Sequence, residues 1–286
     1  MTPRSTVLIT GASTGIGRVA AKALAEKGFR VFAGVRKPAD AEAVAADHAR
    51  IQPVILDVTN GEQIAAARAH IDEHVPEGLW GLVNNAGIVV SSPIEFVPLD
   101  ELRRQFEVNV TGQVAATQAF LPSIRRGKGR IVFTGSSSGY FTMPYIGPYA
   151  ASKYAIEAIG DALRRELHPW GIPVSIIQPG AIKTPIWEKS ESAADDILEG
   201  LPEQAHELYG DRIARVRELV QRQSENAAPA ETVAKAIIKA LTARQPKARY
   251  KVGGDARVQR LFSLLPARWM DAMLAKVFSP EHKLPS

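Results

Sequence analysis

The chain has 286 residues, 45% hydrophobic and 23% charged, a globular composition at a length that suits one α/β domain spanning residues 1–286. It has no cysteine, which excludes disulfides, thiolate catalysis and thiolate zinc sites, and no metal site is expected. No apolar run reaches the about 18 residues needed to cross a bilayer, and the net charge of +5 is spread along the chain without a nucleic-acid-binding module, so no nucleic-acid partner is expected.

Met1-Thr2-Pro3-Arg4 leads directly into a short buried strand at residues 6–10, with no apolar segment for a secretory signal, and the cytoplasm is the expected compartment. Strands are then expected at residues 30–34, 51–56, 81–84, 129–135, 173–178 and 250–252. Helices are expected at residues 17–27, 61–75, 100–125, 149–168 and 230–243. Near-continuous Val, Ile and Leu in the strands suits a sheet covered on both faces. This alternation predicts a single Rossmann-type doubly wound parallel sheet of about seven strands. The basic run at residues 125–130 is expected to be a solvated loop between a helix and a strand.

Two stretches depart from the alternation. Residues 185–228 are polar and helical in composition, as expected of a lid over a site. Residues 255–286 form an amphipathic extension in which Leu261, Leu264, Leu265, Met273, Leu274 and Val277 are interleaved with Arg257, Arg260, Arg268 and Lys276. A helix lying in a membrane interface has this pattern, and so has one packed over its own site or a partner subunit; packing is the favoured reading.

Thr10-Gly11-Ala12-Ser13-Thr14-Gly15-Ile16-Gly17 joins the first strand to the first helix. Glycines there let the backbone turn sharply and approach a pyrophosphate, and the helix N-terminus adds free N–H groups and a partial positive charge. Tyr149 and Lys153, four apart at the start of a helical stretch, share one face. A phenol with a pKa of about 10 is a poor proton acceptor at neutral pH. A neighbouring ammonium is expected to lower that value. Most Tyr/Lys pairs at this spacing only pack and solvate.

The Thr-Gly-x-x-x-Gly-x-Gly spacing, followed by Asn84-Asn85-Ala86-Gly87, Asn109, Tyr149-Ala150-Ala151-Ser152-Lys153 and Pro179-Gly180, resembles the short-chain dehydrogenase/reductase family over about residues 5–185. The resemblance implies an NAD(P)-dependent oxidoreductase that interconverts a carbonyl and an alcohol. It implies catalytic roles for Tyr149, Lys153, Asn109 and, thirteen residues before Tyr149, Ser136. Asn109 would mark a kink holding a water that links Lys153 to solvent, although it also reads as an ordinary polar helix residue. The cofactor contacts implied are Gly11, Ser13, Thr14, Gly15, Ile16, Gly17, Asp57, Val58, Asn85, Ala86, Gly87, Tyr149, Lys153, Pro179, Gly180, Ile182 and Thr184. From sequence Asp57 could equally cap the helix that follows it.

Val35 stands where the family's NAD-selective aspartate falls, and Arg36 and Lys37 follow. Two cations without a carboxylate suit a 2′-phosphate, so NADP is favoured over NAD; otherwise both simply cap an exposed turn. The aromatic and apolar stretch at residues 139–146 lines the substrate cleft in the family, which implies an apolar substrate met by Ser138, Tyr145 and Trp187. Residues 249–256 and 265–268 resemble, over short stretches, the retinol- and hydroxysteroid-dehydrogenase branch. The family also implies a homodimer or homotetramer through the helices at 100–125 and 149–168. A non-catalytic dinucleotide-binding regulator on the same fold is the rival reading; Ser136, Tyr149 and Lys153 argue against it, because a sensor needs no acid/base.

Overall fold

The computed structural model describes residues 6–278, with the side chains of residues 186–191 excepted. In its first half, strands and helices alternate as β1 (Thr6–Ile9), α1 (Gly15–Glu26), β2 (Arg30–Val35), α2 (Pro38–Ala45), β3 (Ile51–Ile55), α3 (Gly61–His74) and β4 (Gly81–Asn84). Then come α4 (Leu99–Phe106), α5 (Gly112–Arg126), β5 (Arg130–Thr134), α6 (Gly147–Glu166) and β6 (Val174–Pro179). A two-residue strand β7 (Ile182–Lys183), the helices α7 (Ile186–Glu199) and α8 (Glu203–Glu225), and β8 (Ala228–Pro229) precede α9 (Ala230–Thr242) and β9 (Arg249–Val252). The helices α10 (Gly254–Phe262) and α11 (Ala267–Phe278) end the described chain.

Seven strands pair in parallel in the order β3-β2-β1-β4-β5-β6-β9. Side chains alternate across each strand. Val7 and Ile9 therefore join the core under α1 and α9, while Leu8 joins the one under α3, α5 and α6. Strand order reverses between β1 and β4, so a crevice opens beyond Ile9 and Asn84, where open α/β sheets bind ligands.

The structure corrects four expectations. The helix expected at 100–125 is interrupted by a π-helical turn at Glu107–Thr111, which separates α4 from α5. The basic run at 125–130 is not all solvated: Arg130 is a buried strand residue. It stacks over the Trp80 ring at 4.3 Å and donates to the carbonyls of Ala240 and Ala243 at 3.0 and 2.9 Å. α2 was not foreseen, because Val44 alone among its residues is buried and leaves no apolar period to read. The extension is two helices broken before Pro266, and its packing is partial. Ala256 is fully buried, yet Leu261, Leu264 and Trp269 are 68%, 67% and 68% exposed. No helix among the described residues is long and apolar enough to cross a membrane.

Candidate active site

The β1–α1 loop is shaped by glycines that cannot be replaced by larger residues. Gly11 and Gly15 adopt φ of +64° and +56°, the left-handed region that disfavours a side chain. A Cβ on Gly11 would lie 2.7 Å from the Ala86 Cα, and one on Gly17 would overlap the Gly11 carbonyl oxygen and lie 2.6 Å from Asn85 Nδ2. These contacts draw the loop onto Asn85 and Ala86. Thr10 completes the join: its Oγ1 accepts from the backbone N–H of Asn85 and of Ala86 at 3.0 and 3.1 Å. Asn85 Nδ2 donates back to the carbonyls of Thr10 and Gly11 at 3.1 and 3.0 Å.

Thr14 caps α1 without a side-chain hydrogen bond, and no acidic residue stands in the first turn. The free amides there, flanked by half-buried Ser13, Gly15 and Ile16, therefore suit an anion such as a dinucleotide pyrophosphate. Thr184 closes the same space, its Cβ 3.4 Å from where a Gly15 Cβ would stand. Ile182 is buried in β7. Pro179 ends β6. Gly180 has a local reason to be glycine, since a Cβ there would overlap the Asp255 carboxylate, which accepts from the Ala181 N–H at 2.6 Å.

Arg36 and Lys37 stand exposed after β2, with no ion pair among the described residues. Asp57 does not cap α3. It accepts from the Thr59 N–H and hydroxyl at 3.0 and 2.8 Å, while Asn60 makes the cap by accepting from Gln63 N. Val58 is buried, 2.7 Å from where a Cβ on Gly112 would stand, so it packs at the start of α5. Gly87 lies against Asn109.

The buried Asn109 in the π-turn donates to the Ile88 carbonyl at 3.0 Å and to Ser152 Oγ at 3.1 Å, and accepts from the Ile88 N–H at 2.8 Å. Its side chain thereby ties the loop after β4 to α6. Gln105 makes a parallel tie, accepting from Val90 N at 2.6 Å and donating to the Ile88 carbonyl at 3.0 Å.

Ser136 is the one of three adjacent serines whose hydroxyl acts on the Tyr149 phenol, favouring its charged form. Its oxygen also accepts from the Ser138 N–H at 3.1 Å. Ser137 is buried, and Ser138 is half-buried beside it. Lys153 donates to the Thr134 carbonyl at 2.8 Å, and its Nζ lies 5.6 Å from the centre of the Tyr149 ring. Burial lowers the Lys153 ammonium to about 8, against the raising influence of Glu157. The phenol departs from expectation. Burial, which strips water from the phenolate, raises its pKa, and the Ser136 hydroxyl offsets this only in part. At neutral pH Tyr149 thus holds its proton ready to give.

Aromatic rings cluster between α8 and the turn before α6. Tyr145 adopts φ of +69°, a strained value for a bulky residue, and its carbonyl is held by Ser92 N at 2.8 Å and Ser91 Oγ at 3.1 Å. Its ring meets Tyr209 of α8 edge-on at 6.2 Å, and Tyr209 meets Phe96 at 5.9 Å and donates to Glu95 at 2.6 Å. The Trp187 side chain lies outside the described residues. Sequence reasoning missed Thr10, Gln105, Ser152, Asp255 and Tyr209 as supports of the site. Thr10, Ser152 and Asp255 lay inside stretches already singled out; Gln105 and Tyr209 are brought in by tertiary contact.

A family model described as short chain dehydrogenase matches residues 5–195, more than half of the chain. The chain is 37% identical over 277 residues to the NADPH-dependent 3-dehydrocapnine reductase of Ornithobacterium rhinotracheale, covering 94% of this chain and 95% of that one. It is 36% identical over 277 residues to retinol dehydrogenase 5 of Mus musculus, covering 94% and 87%. Among solved structures, a short-chain dehydrogenase from Streptomyces avermitilis superposes with a TM-score of 0.78 at 30% identity, covering 96% of this chain and 97% of the other.

Proposed function

The chain belongs to the short-chain dehydrogenase family, and from that membership we propose that it reduces an apolar ketone or aldehyde, or oxidises the matching alcohol, with NADP through Tyr149, Ser136 and Lys153. The class itself is that of an NAD(P)-dependent oxidoreductase acting on CH–OH groups. The two relatives named above are a reductase and a dehydrogenase and lend no support to the rival of a non-catalytic regulator. The single observation that carries the proposed roles is the grouping of Ser136 and Lys153 about the Tyr149 phenol, at the crevice where the strand order reverses.

A nicotinamide dinucleotide, when bound, supplies or takes up the hydride. The glycine loop, the α1 amides, Asn85, Ala86, Gly87, Asp57, Val58 and the run Pro179, Gly180, Ile182 and Thr184 would hold it. Ser136 donates to the substrate oxygen and orients it. Tyr149 donates the proton to that oxygen in reduction and removes it in oxidation. Lys153, charged below about pH 8, stabilises the phenolate left behind. Asn109 positions Lys153 through Ser152 and α6. Ser138, Tyr145 and Trp187 would meet the substrate.

NADP rather than NAD is supported by Arg36 and Lys37, exposed without a carboxylate partner, and by an NADPH-dependent relative. An apolar substrate is supported by the Tyr145–Tyr209–Phe96 wall and by the name of the retinol-oxidising relative. A homodimer or homotetramer through the helices at residues 100–125 and 149–168 belongs to the same reading. The test is nicotinamide absorbance with each cofactor against ketones and alcohols graded in polarity. Turnover with NADPH on apolar carbonyls is expected. Faster turnover with NADH overturns the NADP assignment, and inactivity on every carbonyl and alcohol overturns the reaction.

A further inference from the structure

A second cavity, of about 800 Å³, opens at the β9 edge of the sheet and takes no part in the chemistry above. Lys247, Lys251, Arg257 and Arg260 line it and form no ion pair among the described residues. The acid in its wall is already engaged: Glu157 binds Arg249 at 2.8 Å and accepts from Gln178 at 2.8 Å, and Arg249 also meets Asp161 at 3.1 Å. Asp255, at the start of α10, is held by the Ala181 N–H, so four positive charges face one space whose nearest acids are already engaged.

The two terminal helices carry an apolar face beside those charges. Val258 and Leu261, three apart on α10, lie one residue round from Arg257 and Arg260, so an apolar row runs alongside a basic one. On α11, Trp269 and Met273 repeat the row, with Arg268 beside it and Lys276 at its end. Leu264 and Leu265 bridge the two helices, and all six apolar side chains are exposed. An exposed patch of this kind marks an interaction surface, and an indole flanked by cations suits the boundary between headgroups and acyl chains.

We propose that the α10–α11 face docks on an anionic phospholipid bilayer, its apolar row entering the headgroup–acyl boundary and Lys247, Lys251, Arg257 and Arg260 holding lipid phosphates in the cavity. Charge selects this occupant over a second copy of the chain. A two-fold contact through the same patch would bring two sets of Arg257 and Arg260 into one interface, with no acid in the basic row to relieve them. The face also borders the reaction cleft, because α10 packs on the turn Ser137–Gly139 and α11 packs on α8. An acyl-phase substrate would meet the mouth of the cleft there. The docking itself stands apart from the reaction, so either can fail alone.

Co-sedimentation of the full chain with vesicles tests it, using phosphatidylcholine alone and phosphatidylcholine mixed with phosphatidylglycerol. Binding to the anionic vesicles, weakened by salt, is expected. Arg257→Gln with Arg260→Gln is expected to weaken it by about tenfold or more, at about fivefold per cation. Leu261→Ser with Trp269→Ser is expected to abolish it. NADPH binding, unchanged in both variants, serves as the control for folding. No association with anionic vesicles at low salt, equal binding to both vesicle types, or indifference to the substitutions overturns the proposal. So does a self-associating chain that ignores vesicles and becomes monomeric on Leu261→Ser with Trp269→Ser, which would give the face to a second copy.

Discussion

The crevice beyond β1 and β4 and the outer wall made by α7, α8, α10 and α11 are built by different means. At the crevice, buried side chains hold backbone: Thr10 holds Asn85 and Ala86, Asn109 and Gln105 hold Ile88, and Lys153 holds Thr134. At the outer wall, exposed side chains hold one another: Tyr209 meets Glu95 and Arg217 meets Asp195. Buried bonds to backbone leave little freedom, and exposed pairs between side chains are weak and easily exchanged. With the roles proposed above, the difference teaches that proton transfer would be referred to a rigid frame, whereas substrate choice would rest on parts that can rearrange without disturbing it.

The sharpest way to break this contrast is Tyr149→Phe. Its hydroxyl is the proposed acid/base on the rigid side, so turnover should fall by at least about 100-fold while cofactor affinity stays nearly unchanged. Single-turnover kinetics with cofactor fluorescence reads both. Near-wild-type turnover would falsify the acid/base assignment.

Lys153→Met tests the energetic side of the same frame. Burial lowers the ammonium to about 8. Below that pH both folded and unfolded chains carry the proton, and the folded chain bears the full penalty of a buried charge. From pH 8 to about 10.4, the ordinary lysine value, the unfolded chain holds a proton that the folded chain lacks. Stability therefore rises with pH through that window, and the penalty is gone above it. Tyr149, with its raised pKa, acts oppositely above about 10, the ordinary phenol value. Relieving the lysine penalty is worth up to about 3 kcal/mol, reduced by the partner that the Thr134 carbonyl loses. A net gain of about 1–2 kcal/mol is expected at pH 7, fading by pH 10, together with a loss of activity. Urea unfolding at the two pH values measures it, and a variant less stable at pH 7 than the parent contradicts it.

Arg36→Ala with Lys37→Ala sits between the two regions, on exposed side chains next to a rigid strand end. About a tenfold loss of preference for NADPH over NADH is expected, with little change in NADH affinity. An unchanged ratio of kcat/KM for the two cofactors removes these residues from cofactor choice.

Legibility from sequence follows the same division. The strands and the glycine loop were readable because burial on both faces and backbone turns demand particular residue types. Spacing put Tyr149 and Lys153 on one helix face, and only the family resemblance singled out Ser136; the structure sets Lys153 beside the Tyr149 ring. The π-turn at Glu107–Thr111 was not readable from the apolar pattern, because one inserted residue does not disturb a pattern read over two dozen positions; only the resemblance put a kink at Asn109. Arg130 looked like part of a solvated run, since its cover comes from Trp80 and from the end of α9, far away in sequence. The rise in the Tyr149 pKa was hidden for a similar reason: a sequence shows the neighbouring ammonium but not the water that burial removes. Pro266 did signal the break between α10 and α11, and the amphipathic pattern on either side masked it.

The smallest expected effect belongs to the lid. In Tyr209→Phe the rings of Phe96 and Tyr145 keep their edge-on contacts, and only the hydrogen bond to Glu95 is lost. That bond is exposed, so the fold should hardly notice its removal, and the melting temperature should stay within the error of measurement. What it does is hold α8 against the segment carrying Glu95 and Phe96, which forms one side of the cleft. Loosening it should raise KM for an apolar substrate by about threefold and leave kcat nearly unchanged, because Ser136, Tyr149 and Lys153 lie on elements that α8 does not anchor. A matching fall in kcat would mean that the lid and the proton-transfer frame move together, and the separation between the two regions would be lost.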